Sequence, residues 1–137
     1  MNITQLQEKY KLNKDDFWEV FGGTWVIKHD AVEKIADIEN IVFEEPKVFD
    51  FGTHIALLGY GVMKDNRVWT TGEASNENVK GKGKYLWAMA EKRLKDRLTL
   101  KLINAYEYGV YSDSEAEDFK KDKELDKKVN EISEKDL

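Results

Sequence analysis

The sequence predicts an α+β domain: an antiparallel β-meander of three to five strands packed against one long helix, with a short helix near the N-terminus. Three observations carry this. Between residues 41 and 75, β-rich runs follow one another with turn signals between them. From Tyr85 to about Tyr106 the apolar residues switch to a helical period. The chain has 137 residues, the size of one domain. The boundary is set at residues 1–119 for the domain, with 120–137 a charged C-terminal tail, disordered or helical.

In order along the chain, DDFWEVF (15–21) predicts a short helix capped by Asp15 or Asp16 and broken by Gly22-Gly23. TWVIK (24–28) is a short β-type run. HDAVEKIADIEN (29–40) spaces Ala31, Val32, Ile35, Ala36 and Ile38 as a helix does, with Asp30 as its N-cap. IVFEE, KVFDF, HIALLGYGVM and RVWTTGEA then read as successive strands, separated by Pro46, Gly52 and the turn-forming KDN of 64–66. Gly59 and Gly61 inside a strand pattern mark a bulge or a close backbone approach. SNENVKGKGK (75–84) is a polar loop. In the long helix, Trp87, Ala90, Leu94, Leu98, Leu102 and Ala105 line one face, widened by Tyr85, Met89 and Ile103. Gly109 stops it, and SDSEAEDF (112–119) starts another helix or a frayed extension.

The net charge is −5, which argues against a wholly basic nucleic-acid coat, but the charge is partitioned. Residues 80–101 hold eight Lys/Arg against Glu91 and Asp96, a local balance of +6. Residues 112–137 hold ten acids against six lysines, a balance of −4. Arg93, Arg97 and Lys101 recur every four residues and so share one side of the helix, flanked by Lys92 and Lys95. Lys80, Lys82 and Lys84 precede the helix, where its dipole favours anions. A row of cations beside a helix start is how phosphate backbones are held. A solvated outer face, with Glu91–Lys95 and Asp96 pairing to Lys92 or Arg93, is the ordinary reading of the same spacing. Trp69, Tyr60, Tyr85 and Trp87 lie near this segment, and aromatic platforms beside cations bind single strands without sequence preference. Core packing is the competing role, above all for Trp87.

GEASNEN (72–78), KYLWAMAEKRLKDRLTLKLI (84–103) and YSDSEAEDF (111–119) resemble a group of small phage and prophage proteins with a Gly-Glu-Ala segment and an Ala-Met-Ala-Glu-Lys-Arg helix. More distantly, the meander followed by a Lys/Arg-bearing helix is similar to the Rad52-type single-strand annealing proteins of phages. That resemblance implies a ring-shaped homo-oligomer holding single-stranded DNA in a positive groove, with Lys92, Arg93, Lys95, Arg97 and Lys101 on the matching helix. NAYEYG, where that family has small residues and glycine, and the acidic overall charge depart from its pattern.

The expected function is thus single-stranded DNA binding or annealing in phage-type recombination, without catalysis. The binding set is Lys80, Lys82, Lys84, Tyr85, Lys92, Arg93, Lys95, Arg97, Lys101 and Trp69. DNA or RNA is the partner, and the acidic tail offers a surface for a protein or shields the basic groove. Two alternatives stand. One is a small phage protein that binds a host protein through the same face. The other is a Mg²⁺-dependent nuclease built on Glu45-Pro46-Lys47 with Asp30 or Asp37.

No cofactor or metal is expected: cysteine is absent, and His29 and His54 have no neighbour at metal-ligand spacing. No nucleophile elbow or phosphate loop occurs, and Glu73 is the one further carboxylate that stands out, as a lysine-paired or helix-paired group. MNITQLQEKYKLNKDD carries no hydrophobic signal segment, and no apolar run approaches the roughly 20 residues that span a bilayer, so a cytoplasmic protein is expected.

Overall fold

The computed structural model describes residues 2–76 and 85–115. Within them the chain is α+β, with three α-helices and seven strands in two sheets. The expected helix at 112–119 is represented by one 3-10 turn, Asp113–Glu115; residues 116–119 and the 120–137 tail lie outside the described residues.

A short N-terminal helix is present, but earlier than DDFWEVF. Helix α1, Ile3–Tyr10, is started by a capping box: Gln5 N–H donates to Asn2 Oδ1 (2.9 Å) and Asn2 N–H to Gln5 Oε1 (2.8 Å). Lys11, at φ 54°, ends it. DDFWEVF itself becomes a 3-10 turn, Lys14–Asp16, followed by strand β1, Phe17–Phe21. Gly22 and Gly23 both take positive φ (51° and 82°), so they turn a hairpin rather than stop a helix. Strand β2, Thr24–Ile27, returns antiparallel, pairing Phe17 with Ile27 and Trp18 with Val26. Helix α2, His29–Ile38, begins one residue before the expected cap, with Lys28 at the N-cap position and Asp30 in the first turn. Its first amide is satisfied from far along the chain: His29 N–H donates to Asp113 Oδ1 at 2.8 Å.

Four of the strands form the meander. Strands β3 (Val42–Phe43) and β4 (Lys47–Asp50) both pair antiparallel with one edge of β5 (His54–Met63), interrupted at Glu44–Pro46. Proline suits that gap because it has no amide to give the ladder. The other edge of β5 carries β6 (Asn66–Ser75) after a two-residue turn, Lys64-Asp65; Asn66 already pairs with Met63. Helix α3, Leu86–Leu102, crosses this sheet. It ends four residues before Tyr106, and Asn104 takes φ 59° before a 3-10 turn at Ala105–Tyr108. Strand β7, Val110–Ser112, then joins β2 in parallel, giving the sheet β1-β2-β7.

Two apolar cores share α3. Leu86, Ala90, Leu94 and Leu98 pack on Ile55, Leu57 and Ala74 of the meander. Leu100 and Ile103 turn to the other half, against Leu6, Tyr10, Phe17, Ile27, Val32, Ile35 and Val110. Trp87, expected in the core, is 46% exposed: Leu86, a full turn before Ala90, takes the buried place. The strand glycines are close-approach positions and not bulges. A Cβ on Gly59 would lie 2.9 Å from Leu94 Cδ2, and one on Gly61 would lie 3.3 Å from Leu98 Cβ. Gly72 is tighter still, facing the helix backbone itself, with Ala90 O at 2.4 Å and Leu94 N at 2.5 Å. Among the described residues no helix is long and apolar enough to cross a membrane.

Candidate nucleic-acid interface

The cation row of α3 meets the edge of β6. Among the described residues β6 pairs only with β5, so its second edge has no strand partner. Lys101 Nζ donates to the Trp69 carbonyl (2.9 Å), Arg97 Nη1 to the Thr71 carbonyl (2.8 Å) and Arg93 Nη1 to the Glu73 carbonyl (2.8 Å). The periods match: four helical residues advance about 6 Å, and two strand residues about 6.7 Å. A spacing of four on the helix thus serves three alternate carbonyls of the strand in turn. Unpaired strand edges invite foreign strands, and long cations laid across them are one way proteins close them.

This changes the standing of Arg93. Expected on the outer face, it is 3% exposed, and its Nε donates to the Ser114 carbonyl at 2.8 Å. The reason is the width of the apolar surface. With Leu100 and Ile103 buried on one side and the Leu86–Leu102 row on another, little of α3 faces water. Asp96 is caught the same way. Expected to pair with Lys92 or Arg93, it is 1% exposed, accepting from Ser112 Oγ (2.5 Å) and bonded to His29 Nδ1 (2.7 Å). Burial raises its pKa, and the bonds from Ser112 and His29 only partly oppose this. His29 Nε2 also meets Glu33 Oε1 at 2.9 Å, so one imidazole ties α2 to α3 between two carboxylates. The second apolar stripe at Leu100 and Ile103 was the available sign that Asp96 would be inside.

Arg97 sits between two carboxylates. Its Nε donates to Glu115 Oε1 (2.5 Å), its Nη1 to Glu73 Oε2 (3.0 Å), and its Nη2 lies 3.0 Å from Glu73 Oε1. Burial alone would lower the Arg97 pKa, but the two carboxylates outweigh it and hold the guanidinium charged. Burial likewise works to raise Glu73, and the bond and charge of Arg97 bring it below the usual carboxylate range. Glu73 is therefore arginine-paired rather than lysine-paired. A depressed carboxylate contributes stability that is present above its unfolded pKa and lost as pH falls through the folded one. We expect the Glu73 contribution to stability to be lost on acidification below about pH 4.5, against the opposite contribution of Asp96, and Glu73→Gln to remove that part of the slope, as measured by urea unfolding across pH.

The remaining cations do not gather with this row. Lys95 pairs with Glu91 (2.9 Å) and lies over the Phe43 ring, on the β3 side of the helix. Lys92 lines a separate cavity with Trp18, Lys28, His29 and Met89. Tyr85 is exposed at the helix start. Lys80, Lys82 and Lys84 lie outside the described residues.

The sheet face away from α3 carries the aromatic feature. Residues paired directly across strands share a face, and Ile55, Leu57, Gly59 and Gly61 take the helix side, so Tyr60 and Trp69 are opposite neighbours on the outer side. Trp69 is 52% exposed there. Arg67 lies 3.7 Å from the Tyr60 ring centroid while its fork holds Glu44, and Lys101 Nζ lies 5.7 Å from the Trp69 ring.

Among the described residues there is no group of three or more His, Cys, Asp or Glu that could hold a metal. Glu45 sits between β3 and β4, and Lys47 is exposed on β4, while Asp30 and Asp37 lie on α2. No family model, curated protein or solved structure matches the chain.

Proposed function

We propose that the protein binds single-stranded DNA or RNA without cleaving it, in the annealing or recombination role of a phage-type cytoplasmic protein, and that it does so as an oligomer. The observation that carries the reading is the Tyr60–Trp69 cross-strand pair, in which Trp69 is exposed with Lys101 and Arg97 at its edge and Tyr60 lies beside it under Arg67. Bases of any sequence stack on such rings, and the cations take the phosphates. The contact set shifts accordingly. Trp69, Arg97 and Lys101 stay and Tyr60 joins them, while Arg93 drops out because its guanidinium is buried on carbonyls. Lys92 and Lys95 point to other sides of α3.

Base stacking is worth about 1–3 kcal/mol per base, so Trp69→Ala should weaken binding of a labelled oligothymidine about fivefold or more. The fold should survive, since Trp69 is exposed. Unchanged affinity in the folded variant would sink the reading.

A second reading rests on the opposite edge of the sheet. Strand β4 is exposed at all four residues, and beside it Phe43, Pro46, Val48, Leu57, Trp87 and Leu94 line an apolar groove of about 560 Å³. An extended protein segment added to β4 would fill it. Co-precipitation of a host protein that is lost on Val48→Lys, with no oligonucleotide binding at low salt, would favour this reading.

A further inference from the structure

We infer that Arg97 is a phosphate-binding group at the β6 edge beside Trp69 and that Glu115 occupies its Nε–H in the free protein, as an internal stand-in for a phosphate oxygen. The inference rests on the single-strand reading and adds to it a regulated subsite.

The guanidinium of Arg97 is set for anionic oxygens. One nitrogen is spent on the Thr71 carbonyl and on Glu73, and the others are turned to Glu73 and Glu115. With Nη1 and Nη2 held by Glu73, the Nε–H on Glu115 is the donor that a phosphate oxygen would take in a charge-assisted bond. The site is also reachable. Arg97, Lys101 and Tyr106 line a cavity of about 560 Å³ beside the β6 edge, together with Thr70 and the carboxylates Glu107 and Glu115. Lys101, one turn further along α3, adds a second charge to the same cavity and leads to Trp69 through its bond to the Trp69 carbonyl.

The Glu115 contact is incompletely compensated. Its Oε1 meets Arg97, but its Oε2 is buried with no hydrogen-bond partner. A buried acceptor left unmade opposes the ion pair it belongs to. Exchange of Glu115 for a strand phosphate would relieve that oxygen and leave the Arg97 charge paired. By sequence Glu115 is also the second acid of the 112–137 segment, which carries ten acids against six lysines. Burial, followed by the charge of Glu115, holds the Tyr106 hydroxyl protonated well beyond neutral pH, so it stands in the same cavity as a neutral donor for an incoming oxygen.

The test is the affinity of the full chain for a labelled oligothymidine at about 50 and about 200 mM salt, for wild type and Glu115→Gln. Glutamine keeps the shape and removes the competing charge. The variant should bind on the order of fivefold tighter at the lower salt, and its salt slope should steepen by about 0.7, the change for one added phosphate contact on a single strand. Glu73→Gln releases the other side of the same guanidinium and should move both quantities in the same direction; it replaces Glu115→Gln should that variant fail to melt cooperatively. Wild type that binds, with variants equal or weaker, overturns the inference and leaves the single-strand reading intact. No binding by any of the three proteins overturns the reading and the inference together.

Discussion

Replacing Gly72 with alanine should cost roughly 3 kcal/mol or more of folding stability, the upper range for overpacking a well-filled interior. The added methyl would meet main-chain atoms, Ala90 O at 2.4 Å and Leu94 N at 2.5 Å, and these cannot turn aside as a side chain can. Helix α3 would have to lift from β6, opening contacts of Ala90 and Leu94 with the meander and pulling Arg93, Arg97 and Lys101 off their carbonyls. Gly59→Ala makes the internal comparison. Its nearest obstacle, at 2.9 Å, is the end of the Leu94 side chain, which can change rotamer. Urea unfolding should therefore rank Gly72→Ala as clearly more damaging than Gly59→Ala. Equal losses would mean that the helix does not rest on the strand backbone.

The second large effect is expected at Arg93. Arg93→Met keeps much of the aliphatic volume but strands the Ser114 and Glu73 carbonyls, and should cost roughly 3 kcal/mol. Lys101→Met removes a donor from the same ladder at an exposed position, where water can replace it, and should cost less than about 1 kcal/mol. Thermal or urea melts of the pair separate a structural arginine from a solvent-facing lysine. Similar small losses at both positions would contradict the placement of Arg93 inside.

Much of this architecture was legible in the chain, because period-2 runs and a period-4 apolar row survive in the sequence as written. The four meander strands, the β5–β6 hairpin and the long helix all follow from such patterns. DDFWEVF misled because aromatic and β-branched residues fit either state, and Gly22-Gly23 looks the same whether it stops a helix or turns a hairpin. The cation row was seen, but its environment was not. A spacing of four says that Arg93, Arg97 and Lys101 share a side of α3; it does not say that the edge of β6 lies against that side. Only tertiary structure brings residues 69–73 beside 93–101 and Ser112 beside Asp96.

The four tryptophans sample different parts of the fold, so their indole N–H signals in a ¹⁵N spectrum can locate a bound strand in one titration. Trp69 lies on the outer sheet face, Trp87 in the groove beside β4, and Trp18 and Trp25 on the β1-β2 hairpin. On adding oligothymidine at low salt, the Trp69 signal should shift and saturate while Trp18, Trp25 and Trp87 stay in place. A shift at Trp87 with Trp69 unmoved, or no shift at any of the four, would contradict the single-strand interface.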